Sequence, residues 1–258
     1  ILVGPVDKNV FNNESTPANT IKLSFGGDAL NECVVLSKLG KKVDLISKIG
    51  SDEAGARIID FINRHGIGSS AIKIDPNVET SINLVLVNNV GERYFISNPM
   101  GSQRLLAKND VIDQLSNTGK FVSFASMFIS PLLDIPSMED IFREIKNQPD
   151  RILSVDLVQE KTKSKFDDLA PLLPYIDFIM PNQDEISMLT GSDNLYENAR
   201  TLLDAGCGCA VIKCGKDGCL IKSTSFEYHI PAYPAVHCID TTVAGDSFAA
   251  GFFGALSE

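Results

Sequence analysis

Two aspartates, Asp240 and Asp246, stand six positions apart in the run CIDTTVAGDSFAAGFFGAL, residues 238–256, around a turn of small residues. Ala244 and Gly245 lead into DSFAAGFFGAL, where Phe248 and Phe252 fall one helical turn apart, so a tight turn feeds directly into a helix. The first amides of a helix lack intrahelical acceptors and, with the helix dipole, make an anion site. A carboxylate at Asp246 would lie beside that anion. Where the anion is a phosphoryl group in flight, the carboxylate can take the proton of the attacking hydroxyl. An aspartate at a helix start is also a common N-cap, and residue type alone leaves both roles open. Asp240, one strand end earlier, is expected to orient the turn.

The elements that must position these groups are legible as periodicity. Short apolar, β-branched runs read as buried strands: VDLISKI (43–49), FVSFASMFI (121–129), ILSVDL (152–157), DFIMP (177–181) and CAVIK (209–213). Helical patterns separate them, for example residues 52–64, with Asp52 as cap and the glycine of RHGI as stop. Alternating strand and helix predicts a mostly parallel sheet covered on both faces, with its ligand site beyond the strand C-termini. The polar residues just past those ends are Asp156, Asn182 with Glu185, Lys213 and the 240–246 segment, which should share one crevice. One stretch differs. SINLVLVNNVGERYFIS alternates with period two on either side of a turn at 88–91, an antiparallel hairpin that, with NVFNN near the N-terminus, is expected to form a small lid. An edge extension of the main sheet is the competing placement.

The 258 residues suffice for one α/β domain, and no apolar run approaches the ~20 residues of a membrane span. Lys and Arg total 23 against 33 Asp and Glu, a net charge of −10 that leaves no footprint for nucleic acid or an anionic membrane. Six cysteines lie in or beside apolar stretches, and no leader pattern opens at Ile1, which predicts a reducing cytoplasm. Four of them cluster in CGCAVIKCGKDGC, but their spacing lacks the paired knuckles of zinc sites, so small buried strand residues are the expectation.

The run DTTVAGDSFAAGF resembles the C-terminal signature of the ribokinase-like (PfkB-type) carbohydrate kinases, D-T-T-G-A-G-D-x-F in its usual form. Four further segments are similar to family signatures in the family's order: GGDALNE (26–32), KIGSDEAGARI (48–58), PNQDEISMLTG (181–191) and IKCGKDG (212–218). The resemblance implies a three-layer α/β/α sandwich with a mostly parallel central sheet and a small antiparallel β lid. One kinase domain over 1–258 would take its lid strands from about 8–22 and 82–97. It further implies ATP and Mg²⁺ as cofactors. Asp246 matches the catalytic base, and Val243, Ala244 and Gly245 match the anion hole. Gly26, Gly27 and Asn31 match sugar contacts, as does Asp7, favoured over Asn9 in a compressed first segment. Asn182 and Glu185 match the motif that organises magnesium through water. Gly215 and Gly218, with Lys213 and Thr242, match the nucleotide site, and Arg93 resembles a lid residue able to reach an anionic group.

The chain departs from the pattern at Val243, where glycine is usual, at Val158 and Glu160 after Asp156, and in ending at Glu258 soon after the last helix begins. The expected function is ATP-dependent phosphorylation of a hydroxyl of a small sugar, under a lid that excludes water or pairs two chains as a homodimer. A nucleoside kinase of the same fold is the alternative. A catalytically idle sugar-binding regulatory protein is the third reading, supported by Val243 and disfavoured by Asp246.

Overall fold

Alternating apolar runs and capped amphipathic segments fold as their periods require. The computed structural model describes residues 1–7, 9–158, 165–234 and 241–258. Along the chain come β1 (Leu2–Gly4), β2 (Thr20–Lys22), α1 (Asp28–Lys38), β3 (Ser47–Gly50), α2 (Glu53–Arg64), β4 (Ile72–Asp75), β5 (Asn83–Val87), β6 (Arg93–Ser97), α3 (Lys108–Ile112) and β7 (Phe121–Met127). They are followed by α4 (Ile135–Lys146), β8 (Ile152–Leu157), α5 (Phe166–Leu169), β9 (Phe178–Ile179), α6 (Gln183–Thr190), α7 (Leu195–Asp204), β10 (Cys209–Lys213), β11 (Cys219–Ser223), β12 (Glu227–Ile230) and α8 (Ala244–Leu256).

The main sheet has the order β12-β11-β10-β9-β8-β7. Strands β7 to β10 run parallel, and β11 and β12 continue antiparallel at one edge. Side chains alternate across it, as the pleat demands. Leu153, Val155, Ile179, Ala210 and Ile212 pack on one face against Met138, Ile141 and Phe142 of α4 and Leu202 of α7. Met180, Cys209 and Val211 face the other way, onto Ala249 and Phe253 of α8 and Leu36 of α1. Two helical layers therefore enclose the sheet, and the expected α/β/α sandwich is present.

A separate parallel pair, β3–β4, shares its own apolar cluster with α1 and α2 through Leu30, Cys33, Ile49 and Ile62. Asp110 of α3 clasps that pair, accepting from Lys48 at 3.2 Å and Lys73 at 2.6 Å. The capping residues read from sequence act as such. Asp52 accepts from the Gly55 amide at 2.8 Å, and Gly66 leaves the helix end at φ 65.

The small sheet corrects the sequence reading in two respects. Its order is β2-β1-β5-β6, so its N-terminal strands are 2–4 and 20–22; only the second falls within the expected 8–22. NVFNN supplies no strand; Val10–Asn12 form a 3-10 turn, preceded by an Asp7 carboxylate that accepts from the Asn9 amide at 2.7 Å. Asp and Asn side chains offer the backbone local partners that compete with a strand ladder, which accounts for the difference. The sheet is also mixed. β5 and β6 form the expected hairpin, with Gly91 at φ 86 in its turn, but β1 lies parallel to β5 and antiparallel to β2.

Candidate active site

The C-terminal ends of β7, β8 and β10 and the N-termini of α1, α6 and α8 carry the polar residues of one crevice. Lys213, last residue of β10, donates to both carboxylate oxygens of Asp156 near the end of β8, at 2.7 and 2.6 Å. Both side chains are largely buried, so the pair is desolvated and geometrically tight. A Cβ placed on Gly245 would stand 3.4 Å from Lys213 Nζ, which puts the ammonium against the turn that starts α8.

That turn is where the sequence places its anion hole. Val243 is the N-cap of α8 at φ 66, ψ 9, in the left-handed region, and makes no side-chain capping bond. A β-branched residue pays a steric cost there, and the glycine usual in the resembling family would not. The Ala244 amide donates to Thr241 O at 3.1 Å and Ser247 N to Val243 O at 2.9 Å, so the first turn is already wound. Thr242 lies exposed beside it. Asp240, together with Glu160 and Cys238, lies outside the described residues.

Asp246 sits in the first turn of α8 and accepts from Asn31 Nδ2 at 2.7 Å. Burial raises its carboxyl above the ordinary aspartate range, the Asn31 donor opposes that shift, and the Asp28 carboxylate adds to it. It does not cap the helix through a side-chain bond, so the bland role open at the sequence level is not the one it takes. Gly26 and Gly27 precede α1; Gly27 adopts φ 105, which an L side chain resists, and a Cβ on Gly26 would stand 3.8 Å from Asn31 Oδ1. Asp28 opens α1 and accepts from Ser126 of β7 at 2.6 Å. Phe128, just past β7, is the second described non-glycine residue with positive φ, at 72. Backbone strain thus sits at two strand or turn ends around the crevice.

Asn182 and Glu185 form a reciprocal capping box on α6: Glu185 N donates to Asn182 Oδ1 at 2.8 Å, and Asn182 N to Glu185 Oε2 at 2.7 Å. Burial nevertheless pushes the Glu185 carboxyl up to about 7, while Lys213 pulls it down and Asp156 pushes it further up, so it shares the crevice's field. Asp156 is pushed up to about 6, again by burial, with Lys213 opposing. Among the described residues no three His, Cys, Asp or Glu side chains are grouped to hold a metal ion by themselves. Mg²⁺ usually keeps several waters and takes one or two carboxylates plus phosphate oxygens, so the hard oxygens of Glu185, acting through water, fit it without a protein cage.

The loop joining β10 to β11 holds Gly215 at φ 56 and Gly218 at φ 94. A Cβ on Gly218 would collide with the Ile230 carbonyl and come within 2.7 Å of the Ala232 amide, so this turn admits only glycine. Asp7 and Arg93 are not brought into the group: both lie exposed at the small sheet, Asp7 after β1 and Arg93 at the start of β6. Beside Asn31 and Val243 opens a cavity of about 280 Å³, lined also by Phe25, Phe61 and Ser247. Sequence reasoning passed over Asp28 and Glu32, although GGDALNE sets them one helical turn apart on α1. Their i, i+4 spacing was the available signal.

The sequence model of the pfkB family carbohydrate kinases matches residues 2–258. Among curated relatives, a probable fructokinase-5 of Arabidopsis thaliana is 26% identical over 243 residues, covering 90% of this chain and 74% of the relative. An aminoimidazole riboside kinase of Salmonella typhimurium is 25% identical over 244 residues, with 90% and 74% covered. A solved structure of Arabidopsis thaliana ribokinase complexed with ribose and ATP superposes with a TM-score of 0.80 over 99% of this chain and 80% of that one, at 20% identity. That likeness establishes the shared fold.

Proposed function

The chain belongs to the pfkB family of carbohydrate kinases, and on that premise we propose that it transfers the γ-phosphoryl group of ATP to a hydroxyl of a small sugar, with Asp246 as the base. The observation that carries the reading is the Asn31–Asp246 contact at 2.7 Å, which joins the residue that would read the acceptor hydroxyls to the group that would deprotonate one of them. A half-buried carboxylate with its basicity raised accepts such a proton more readily than an exposed one. Gly26 and Gly27 let a polyol approach the backbone, and Asn31 offers a donor and an acceptor to it. Lys213 and the first turn of α8, with Val243, Ala244 and Gly245 at its start, place positive potential where charge builds on the transferred group. The Lys213, Thr242, Gly215 and Gly218 segment flanks the nucleotide. Mg²⁺, held through water by Glu185 with Asn182 fixing its carboxylate, would neutralise triphosphate charge.

Asp7 and Arg93, exposed at the small sheet, would reach the acceptor only as that sheet closes over it and excludes water. The same sheet exposes Ile21, Tyr94, Phe95 and Ile96, an apolar surface that suits a homodimer through the lid. One observation favours a nucleoside as acceptor instead. Phe25 and Phe61, with ring centroids 4.7 Å apart, line the cavity beside Asn31 and would suit a flat base. Phosphorylation assays with ATP against a panel of free sugars and ribosides decide between them, and the favoured reading requires a free sugar to have the highest kcat/KM. A catalytically idle sugar-binding protein would bind a sugar from that panel without ATP turnover.

A further inference from the structure

Glu32 is the most deeply placed carboxyl around the crevice. It follows Asn31 on α1, is 4% exposed, and its Oε1 is buried with no hydrogen-bond partner among the described residues. Among the described residues the charged groups that face it are of one sign: Asp28 from the preceding turn of α1, Asp156 from β8 and Asp246 from α8. β7 contributes the neutral Ser123 hydroxyl. Lys213, a cation of the crevice, is held by both oxygens of Asp156. A buried carboxylate among three others, with one oxygen left unbonded and the Ser123 hydroxyl opposing but not offsetting its desolvation, takes up a proton instead.

Resting on the kinase reading above, we propose that Glu32 is a positioning residue for phosphoryl transfer: a neutral carboxylic acid buried behind the Asn31–Asp246 pair, whose ionisation switches the site off. With Glu32 neutral, the base side of the crevice holds the charge of Asp246 and Asp28, and a triphosphate can approach Lys213 and the α8 turn. Ionised, Glu32 adds a further negative charge in a poorly screened place, against which both the triphosphate and the transition state must be assembled. Burial pushes the Glu32 carboxyl up to about 8, which places the loss of its proton inside the range of an ordinary pH–rate profile.

The test compares wild type with Glu32→Gln, which keeps the shape of the neutral acid and cannot ionise. In the wild type kcat/KM should fall above about pH 8, approaching tenfold per pH unit, and in E32Q that alkaline limb should move up by at least about one unit. A second readout is independent of turnover. A folded chain that keeps the Glu32 proton up to about pH 8 binds one proton more than its unfolded form from about pH 4.5 upward, so stability falls as pH rises through this window. E32Q lacks that linkage, and its melting temperature should gain on the wild type between about pH 5 and 8. If the stability difference is seen but the alkaline limb does not move, Glu32 is neutral yet does not govern the reaction, and the proposal is overturned. If neither changes, Glu32 is already ionised at neutral pH, which overturns it at its root. Absence of phosphoryl transfer by the wild type at every pH defeats the kinase reading and the positioning role with it. The melting comparison still reports where the proton resides.

Discussion

Burial raises the Asp246 carboxyl above the ordinary aspartate range, and the Asn31 donor opposes that shift. Asp246→Asn keeps the size and hydrogen-bonding capacity of the side chain but removes the basic site. Turnover should drop about 10²–10⁴-fold with KM for the sugar nearly unchanged, measured by steady-state kinetics. Asn31→Ala acts through the same contact. The donor favours the ionised carboxylate, so its loss raises the Asp246 pKa further, and since the base must be ionised the acid limb of kcat/KM moves to higher pH. A pH–rate profile of the variant checks the direction; a limb that stays put or moves to lower pH removes Asn31 from the role. Asp246 was legible in the sequence because it closes a turn of small residues ahead of a helix. Of Glu32 only the i, i+4 spacing from Asp28 was legible: its other neighbours Asp156 and Asp246 come from other elements, and its burial follows only once α1 packs on β7.

At the scale of elements, the start of α8 is strained where the sequence departs from its family. Val243 at φ 66 stores energy of the order of 1–3 kcal/mol in the turn proposed to point amides at one anion. Val243→Gly should therefore raise kcat with little change in sugar KM. It should stabilise the fold by at most about 2 kcal/mol, because glycine's own backbone entropy offsets part of the relief. Kinetics and denaturant titration measure the two effects, and an unchanged or lower kcat would show the valine to be harmless. The departure itself was readable from residue order, since only the identity of one turn residue was needed. The pairing of β1 was not. A three-residue apolar strand fits either sheet equally well by pattern, and its partners Val85 and Leu86 lie some eighty residues away.

For the molecule as a whole, the layered sandwich carries the crevice, and the small sheet is the element proposed to govern access to it. β6 is exposed along its whole length, and Ile21 of β2 is 75% exposed, so the lid presents apolar surface at both of its edges. Sedimentation should give the mass of two chains, and Phe95→Asp should return a monomer. A monomeric wild type would leave that surface to substrate closure alone. The three-layer order was legible because buried strands and amphipathic helices leave different periods in the sequence, whereas the mixed pairing of the lid depended on contacts distant in the chain. The most direct measurement of the reaction is phosphorus NMR of ATP incubated with Mg²⁺, the protein and each of fructose, ribose and a riboside, for the wild type and Asp246→Asn. A sugar-phosphate resonance that grows at the expense of ATP in the wild type, and at least about a hundredfold more slowly in the variant, is the predicted result. ATP consumed without any phosphorylated acceptor, or transfer at equal rates by both proteins, would contradict it.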